Sequence, residues 1–275
     1  GARLRLPAGV IREAVNQSVH LSFATRQSRK GQISSWKAYA PAQAGKTAIE
    51  AVDRAMRGEG APNPIYEGED SIIPWMLAGR DAAYEVDLPA PGAQPTSILE
   101  TFPKAHSAEY QAQAIIDLAF EARATVDPGQ VAAITLHASD HTHFVIGTGS
   151  GDPQKFDPAA SRETLDHSIM YILAVALEDG RWSHVDSYAP ARAGRPETVA
   201  LWRKIKTELE DGWTTRYHAA DPAERANGGR LEIALQDGRT LKFEKAAADA
   251  HPNGAAPWKA GDYAAKLRDP APDRL

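Results

Sequence analysis

Several groups of residues have types and spacings that suit chemistry. In Glu163–Tyr171 (ETLDHSIMY), His167 and Tyr171 stand four apart. On a helix these positions share a face, and an imidazole beside a phenol can hand protons to and from a substrate. The same spacing also suits a helix whose tyrosine packs in the core. Arg26, Arg29, Lys30 and Lys37 place four cations in one short stretch. A ligand with several carboxylates needs such a cluster, although a solvated loop accounts equally well for Arg29 and Lys30. Lys37 differs because Trp36 and Tyr39 flank it and can hold its ammonium. In HASDHTH, an extended chain would point His137, His141 and His143 to one face. Imidazole and carboxylate suit zinc or iron. No separate H-x-x-x-H helix or distant carboxylate completes a ligand set, so a polar strand end is the stronger reading and no metal is expected. Ala40–Thr47 (APAQAGKT) lacks the first glycine of a phosphate loop and lies in a helical pattern. Gly147–Gly151 (GTGSG) reads as a flexible loop, since no dinucleotide fingerprint accompanies it.

Composition narrows the classes. The 275 residues suffice for one large domain or two modest ones. A formal net charge of -5 lacks the basic footprint of non-specific nucleic-acid binding. With no cysteine, disulfides, thiolate metal sites and a cysteine nucleophile are excluded. No apolar run approaches the roughly 20 residues of a membrane span. No signal peptide appears, and a cytoplasmic protein is expected.

These residues need elements to position them. Ala8–Phe23 reads as a helix with an apolar stripe (Val10, Ile11, Ala14, Val15, Val19, Leu21) that requires something to pack against. Such a helix so near Gly1 suggests a chain cut inside a larger domain. Ser35–Arg57 is a long helical pattern with Pro41 inside it, where a kink or late start is expected, and Gly58, Gly60 and Pro62 end it. Asp70–Leu77 suggests a short helix, and Pro89–Pro95 a connector between domains. Beyond it, Ser107–Ala124, Glu163–Leu177 and Glu197–Glu210 read as helices, Val131–Ala138 as a strand, and Lys259–Lys266 as a last helix. Leu231–Leu235 and Thr240–Glu244 form a hairpin about Asp237-Gly238. The order is helices, then α+β, then helix.

Several segments together resemble the MmgE/PrpD family: Ala24–Glu69 (ATRQSRKGQISSWKAYAPAQAGKTAIEAVDRAMRGEGAPNPIYEGE), Lys104–Gln113 (KAHSAEYQAQ), Gly151–Gly180 (GDPQKFDPAASRETLDHSIMYILAVALEDG) and His251-Pro252. The first segment is most similar to bacterial 2-methylcitrate dehydratases. The resemblance implies an α+β protein in which an α+β lid is inserted into an all-helical domain. Residues 1–99 would be the C-terminal part of the helical domain, 100–256 the lid, and 257–275 the return to the helical domain. It implies a cofactor-free hydro-lyase, a homodimer, that takes water from a small tricarboxylate. Lys37 stands at the lysine of the S-x-W-K-like segment, and Lys104 at a second lysine before the E-Y-H-x-Q-like motif. His167 and Tyr171 match the D-H-S-x-x-Y motif. The implied catalytic set is Tyr171, His167, Lys37 and Lys104, with Lys37, Lys104 and Arg26 binding substrate. The two lysines are expected to face one cleft. At Gln111 the chain departs from the family, where many members carry histidine. The family's remaining acid–base residues would precede Gly1, so residues 1–275 alone are expected to be nearly inactive. Decarboxylation or epimerisation on the same scaffold, or a non-catalytic lid and oligomerisation module, are the rival readings.

Overall fold

In the computed structural model the described residues are 2–22, 31–77, 79–82, 85, 90–94 and 101–268. The chain forms two units, Gly1–Arg29 with Ser35–Ile98, and Lys30–Ser34 with Leu99–Leu275.

The first unit is helical. Helix α1 spans Ala8–Leu21, α2 Trp36–Met56 and α3 Ile72–Met76. Small buried residues, Ala14 on α1 and Ala51 and Ala55 on α2, line the inner faces of these helices. Two side chains of α1 then tie down the strand of chain that follows α2. Gln17 Nε2 donates to the Glu59 carbonyl (2.8 Å), and the Glu13 carboxylate accepts from the Ala61 amide (2.8 Å). Gly58, at φ +89, makes the left-handed turn that ends α2. Pro41 lies within α2, which neither starts late nor divides there. Of the α1 stripe, Ala14 is buried while Val15 and Leu21 are 44% and 60% exposed.

The second unit is an α+β layer structure. Strands β1 (Val131–Ala138), β2 (Ile205–Leu209), β3 (Gly229–Leu235) and β4 (Thr240–Lys245) form one mixed sheet in the order β2-β1-β3-β4. β1 pairs with β2 in parallel and with β3 antiparallel, Ile134 standing opposite both Ile205 and Ile233. The β3–β4 hairpin turns through Gln236–Arg239, with Gly238 at φ +87. Helices α4 (Gln113–Arg123) and α7 (Ile169–Asp179) pack together and against the sheet. Every residue of α7 from Ile169 to Leu177 is buried. A helix apolar on all sides belongs inside a core, and this one shares its core with Ile115, Ile116, Ile134, Leu136, Leu231 and Ile233. The opposite face of the sheet is polar: His137 lies among Glu208, Glu210 and Glu232, at 3.5–3.8 Å.

The remaining helices are α5 (Asp140–Val145), α6 (Arg162–Leu165), α8 (Pro190–Ala193), α9 (Pro196–Trp202), α10 (Asp211–Tyr217) and α11 (Ala260–Arg268). Two sequence expectations fail here. Glu163–Leu177 is not one helix, because α6 stops at Leu165 and α7 starts at Ile169. Ser168 causes the restart, its hydroxyl capping the Tyr171 amide at 3.2 Å. Glu197–Glu210 is likewise not one helix. Its second half is β2, drawn into the sheet by parallel pairing to β1. Among the described residues no helix is long and apolar enough to cross a membrane.

Candidate active site

A dense polar neighbourhood of the second unit grows from the loop before α4. Gln113 fixes that loop, accepting from the His106 amide (2.9 Å) and donating to the carbonyls of His106, Ala108 and Glu109. Lys266 on α11 donates to the Ala105 carbonyl and the Ser107 hydroxyl. Tyr188 donates to the Ser107 carbonyl (2.8 Å), its oxygen lying 3.0 Å from the Asp166 carboxylate. His106 meets Asp117 at 2.7 Å, and the other oxygen of Asp117 accepts from the Asp249 amide. A loop held at so many points presents its side chains in fixed directions. Ser107–Ala112 is therefore not the helical start expected from the sequence. It ends in a 3-10 turn, Tyr110–Ala112, capped by Glu109 through the Gln111 amide (2.7 Å).

This loop presents Lys104, exposed, and Glu109 and Gln111, more enclosed. Burial pushes the Glu109 carboxyl up, while the Gln111 amide, the Lys104 charge and the Tyr110 amide hold it back. The Gln111 side chain satisfies its neighbours with its nitrogen toward the Glu109 carboxylate. Its oxygen then faces His141 Nε2 at 3.1 Å and the Tyr217 hydroxyl at 3.2 Å. The rings of His141 and Tyr217 stack at 5.1 Å and 12°. Desolvation pushes the Tyr217 phenol up, and the Glu109 and Asp140 charges raise it further. Asp140 accepts from the His141 amide (2.6 Å) and meets His218 at 3.2 Å. Glu109 and Tyr217 were not singled out in the sequence, because only the fold brings α10 to the loop before α4.

The D-H-S-x-x-Y segment lies deeper. His167 sits in the break between α6 and α7, not on a helix face shared with Tyr171. It is 4% exposed. Its Nδ1 lies 3.1 Å from the Glu163 carbonyl, which only accepts, so the proton is on Nδ1. Tyr171 has no exposed surface. Its ring packs on Trp202 (4.9 Å), and its hydroxyl donates to the Ser187 carbonyl at 2.5 Å. Burial pushes that phenol far up. A lysine the sequence reading passed over, Lys155, is buried beneath this segment and donates to the His167 carbonyl. The segment also holds the chain just before α2: the Ile33 amide donates to Thr164 Oγ1 (3.1 Å) and the Gly31 amide to Asp152 (3.0 Å).

Of the other expected residues, Lys37 lies half-buried in the first turn of α2, with Trp36 and Tyr39 59% and 61% exposed. Arg26, Arg29 and Lys30 lie outside the described residues. Ala40–Thr47 is inside α2 and presents no phosphate loop. His137 is on β1, whereas His141 and His143 are on α5, so the three are not on one extended chain. Among the described residues no group of three or more His, Cys, Asp or Glu is placed to hold a metal ion. Gly147–Gly151 contains a 3-10 turn, Thr148–Ser150, and Gly149 leaves room for the His143 ring, which a Cβ there would strike.

Comparison with known proteins covers both units. Residues 1–85 match the MmgE/PrpD N-terminal domain, and residues 106–275 match the MmgE/PrpD C-terminal domain. A 2-methylcitrate dehydratase of Cupriavidus necator is 30% identical over 141 residues, which is 50% of this chain and 27% of that protein.

Proposed function

Because this chain belongs to the MmgE/PrpD family, we propose that it is part of a hydro-lyase that removes water from 2-methylcitrate to give 2-methyl-cis-aconitate. In that reaction a proton leaves carbon beside a carboxylate, a C=C bond forms, and the hydroxyl departs as water. Negative charge grows on the carboxylate as the proton leaves. Cations fixed beside it stabilise the transition state more than the ground state. In this reading Lys104 is such a cation, Lys37 and Arg26 are the further substrate-binding residues that the family resemblance implies, and the working assembly is a homodimer. The observation that supports this best is the placement of Lys104. Its exposed ammonium acts on the desolvated carboxyl of Glu109, in a loop held by bonds from α4, α11 and the 183–188 turn. Such a charge is compact and suits a carboxylate.

Tyr171 and His167 enter the proposal as the proton-handling pair of the D-H-S-x-x-Y motif. For Tyr171 to serve, its hydroxyl must exchange the Ser187 carbonyl for substrate, which requires the turn at Ser187 to move.

The test is an assay of the full-length protein with 2-methylcitrate and with cis-aconitate, following ultraviolet absorbance and released carbon dioxide. Conjugated product from 2-methylcitrate without carbon dioxide is expected. Carbon dioxide from cis-aconitate would instead make it a decarboxylase. No reaction with either substrate would sink the lyase reading.

A further inference from the structure

We propose that Tyr217 is the proton donor to the departing hydroxyl, with His141 and Gln111 as its positioning residues. This rests on the lyase reading above and names the group that completes the leaving water.

Tyr217 is the last residue of α10, and its helix ends where its ring reaches the loop before α4. The hydroxyl lies 3.2 Å from the Gln111 amide in either orientation of that amide. The ring lies nearly parallel to His141, which stops it turning away. Gln111 is itself gripped from the other side by Glu109, the carboxyl on which the Lys104 charge acts. A phenol, an imidazole, an amide, a carboxyl and an ammonium thus share one neighbourhood, drawn from three elements of one unit. Gln111 cannot exchange a proton at neutral pH, whereas the phenol and imidazole that touch it carry exchangeable protons. Desolvation and the nearby Glu109 and Asp140 charges keep the Tyr217 phenol protonated, against the weaker opposing pull of Arg225. A neutral phenol is what an acid catalyst must be before it acts. Tyr217 is half-buried and keeps some exposed surface. Tyr171 has no exposed surface, and its hydroxyl must leave the Ser187 carbonyl before it can act.

The step balances. The carbon-bound proton passes to a basic side chain, and its electron pair forms the C=C bond. The C–O bond breaks with its pair on oxygen, which takes the Tyr217 proton and leaves as water. The phenolate regains a proton from the base through solvent, so nothing is consumed.

The experiment compares Tyr217→Phe, Tyr171→Phe and Lys104→Ala with wild type, all in the full-length protein with 2-methylcitrate. Tyr217→Phe keeps the ring stack and loses only the hydroxyl. It should lower kcat by about 10²–10⁴ with little change in KM, and flatten the alkaline limb of the kcat–pH profile. His141→Ala, which loosens the ring, should lower kcat less and leave that limb in place. A second measurement is independent of turnover. With ¹³C-labelled tyrosine, citrate added as a probe should shift the resonance that Tyr217→Phe removes. If Tyr217→Phe keeps wild-type kcat while Lys104→Ala loses activity, the Tyr217 assignment is overturned and the lyase reading stands. If wild type itself leaves 2-methylcitrate unchanged, the lyase reading falls and the assignment falls with it. A Tyr217 resonance indifferent to citrate, with turnover intact, also overturns the assignment.

Discussion

The ammonium of Lys155 donates to the carbonyl of His167 at 2.9 Å, and the carbonyl of Lys155 accepts from the hydroxyl of Ser168 at 2.7 Å. Two segments a dozen residues apart are therefore clasped in both directions, and the clasp fixes the break in which His167 sits. Ser168 serves twice, since the same oxygen caps α7. Lys155 is 2% exposed.

That burial makes a pH prediction. Desolvation lowers the Lys155 pKa from its ordinary 10.5, and Asp152 offsets this only in part. Between the lowered folded value and the unfolded value, the unfolded chain holds the proton and the folded chain has released it. Stability contributed by this site therefore rises with pH across that window. Below it both states are protonated, and the folded state carries the full desolvation cost. Lys155→Met removes the titrating group and keeps the apolar stem. Wild-type stability relative to Lys155→Met should increase from pH 7 toward pH 10, as read by urea unfolding. A difference that shrinks with rising pH would show the ammonium to be net stabilised where it lies.

Tyr171→Phe separates packing from chemistry. The substitution keeps the contact with Trp202 but leaves the Ser187 carbonyl without its donor. A buried acceptor left unpaired costs about 1–3 kcal/mol. The expected outcome is a lower urea midpoint with an unchanged m-value, and a smaller fall in kcat than Tyr217→Phe produces. A full loss of turnover in a stable Tyr171→Phe protein would return the proton donor to Tyr171.

Arg192 anchors the far end of α7. Its guanidinium pairs with both Asp179 oxygens (3.0 Å each) and with Glu178 (2.6 Å), and Thr198 on α9 closes the network. Arg192 is 7% exposed, so removing it leaves two acids poorly solvated. Breaking a buried pair from one side typically costs about 3–5 kcal/mol. Arg192→Met should lose that order of stability, and the further change Glu178→Gln should recover part of it. Additive losses in the double variant would mean the residues act separately.

The sequence made some elements legible and hid others for definite reasons. Val131–Ala138 is found as the strand expected, and Asp237-Gly238 turns the hairpin because Gly238 takes a positive φ. Gly180, at φ +64, ends α7 just beyond the Leu177 end that the helical pattern gives. The α6–α7 break was hidden because helical periodicity runs through Asp166–Ser168, and a capping serine leaves no apolar gap. β2 was hidden because Lys206, Glu208 and Leu209 are good helix formers, and only pairing to β1 makes them a strand. The α+β class followed from the order of elements. Lys104 was reached through its motif. Tyr217 was not, since its contact with Gln111 joins residues 106 apart in sequence.

Lys104 supplies the most direct test of substrate binding. It is exposed, so its removal should leave the fold intact, with only a small change in the urea midpoint. Its charge offsets part of the burial cost of Glu109, so Lys104→Ala should raise the Glu109 pKa further. The sign follows from linkage: a carboxyl already raised in the folded state favours folding as pH falls, and the variant should show this more strongly than wild type. Toward substrate, a charge-assisted contact contributes about 1.5–3 kcal/mol, or roughly tenfold to a hundredfold in kcat/KM. The loss should be largest at low ionic strength and shrink as salt screens the approach. Lys104→Arg should restore part of it, since the charge returns on a broader, planar head. The measurement is kcat/KM for 2-methylcitrate across ionic strength in the three proteins. Equal values for wild type and Lys104→Ala would remove Lys104 from the binding site.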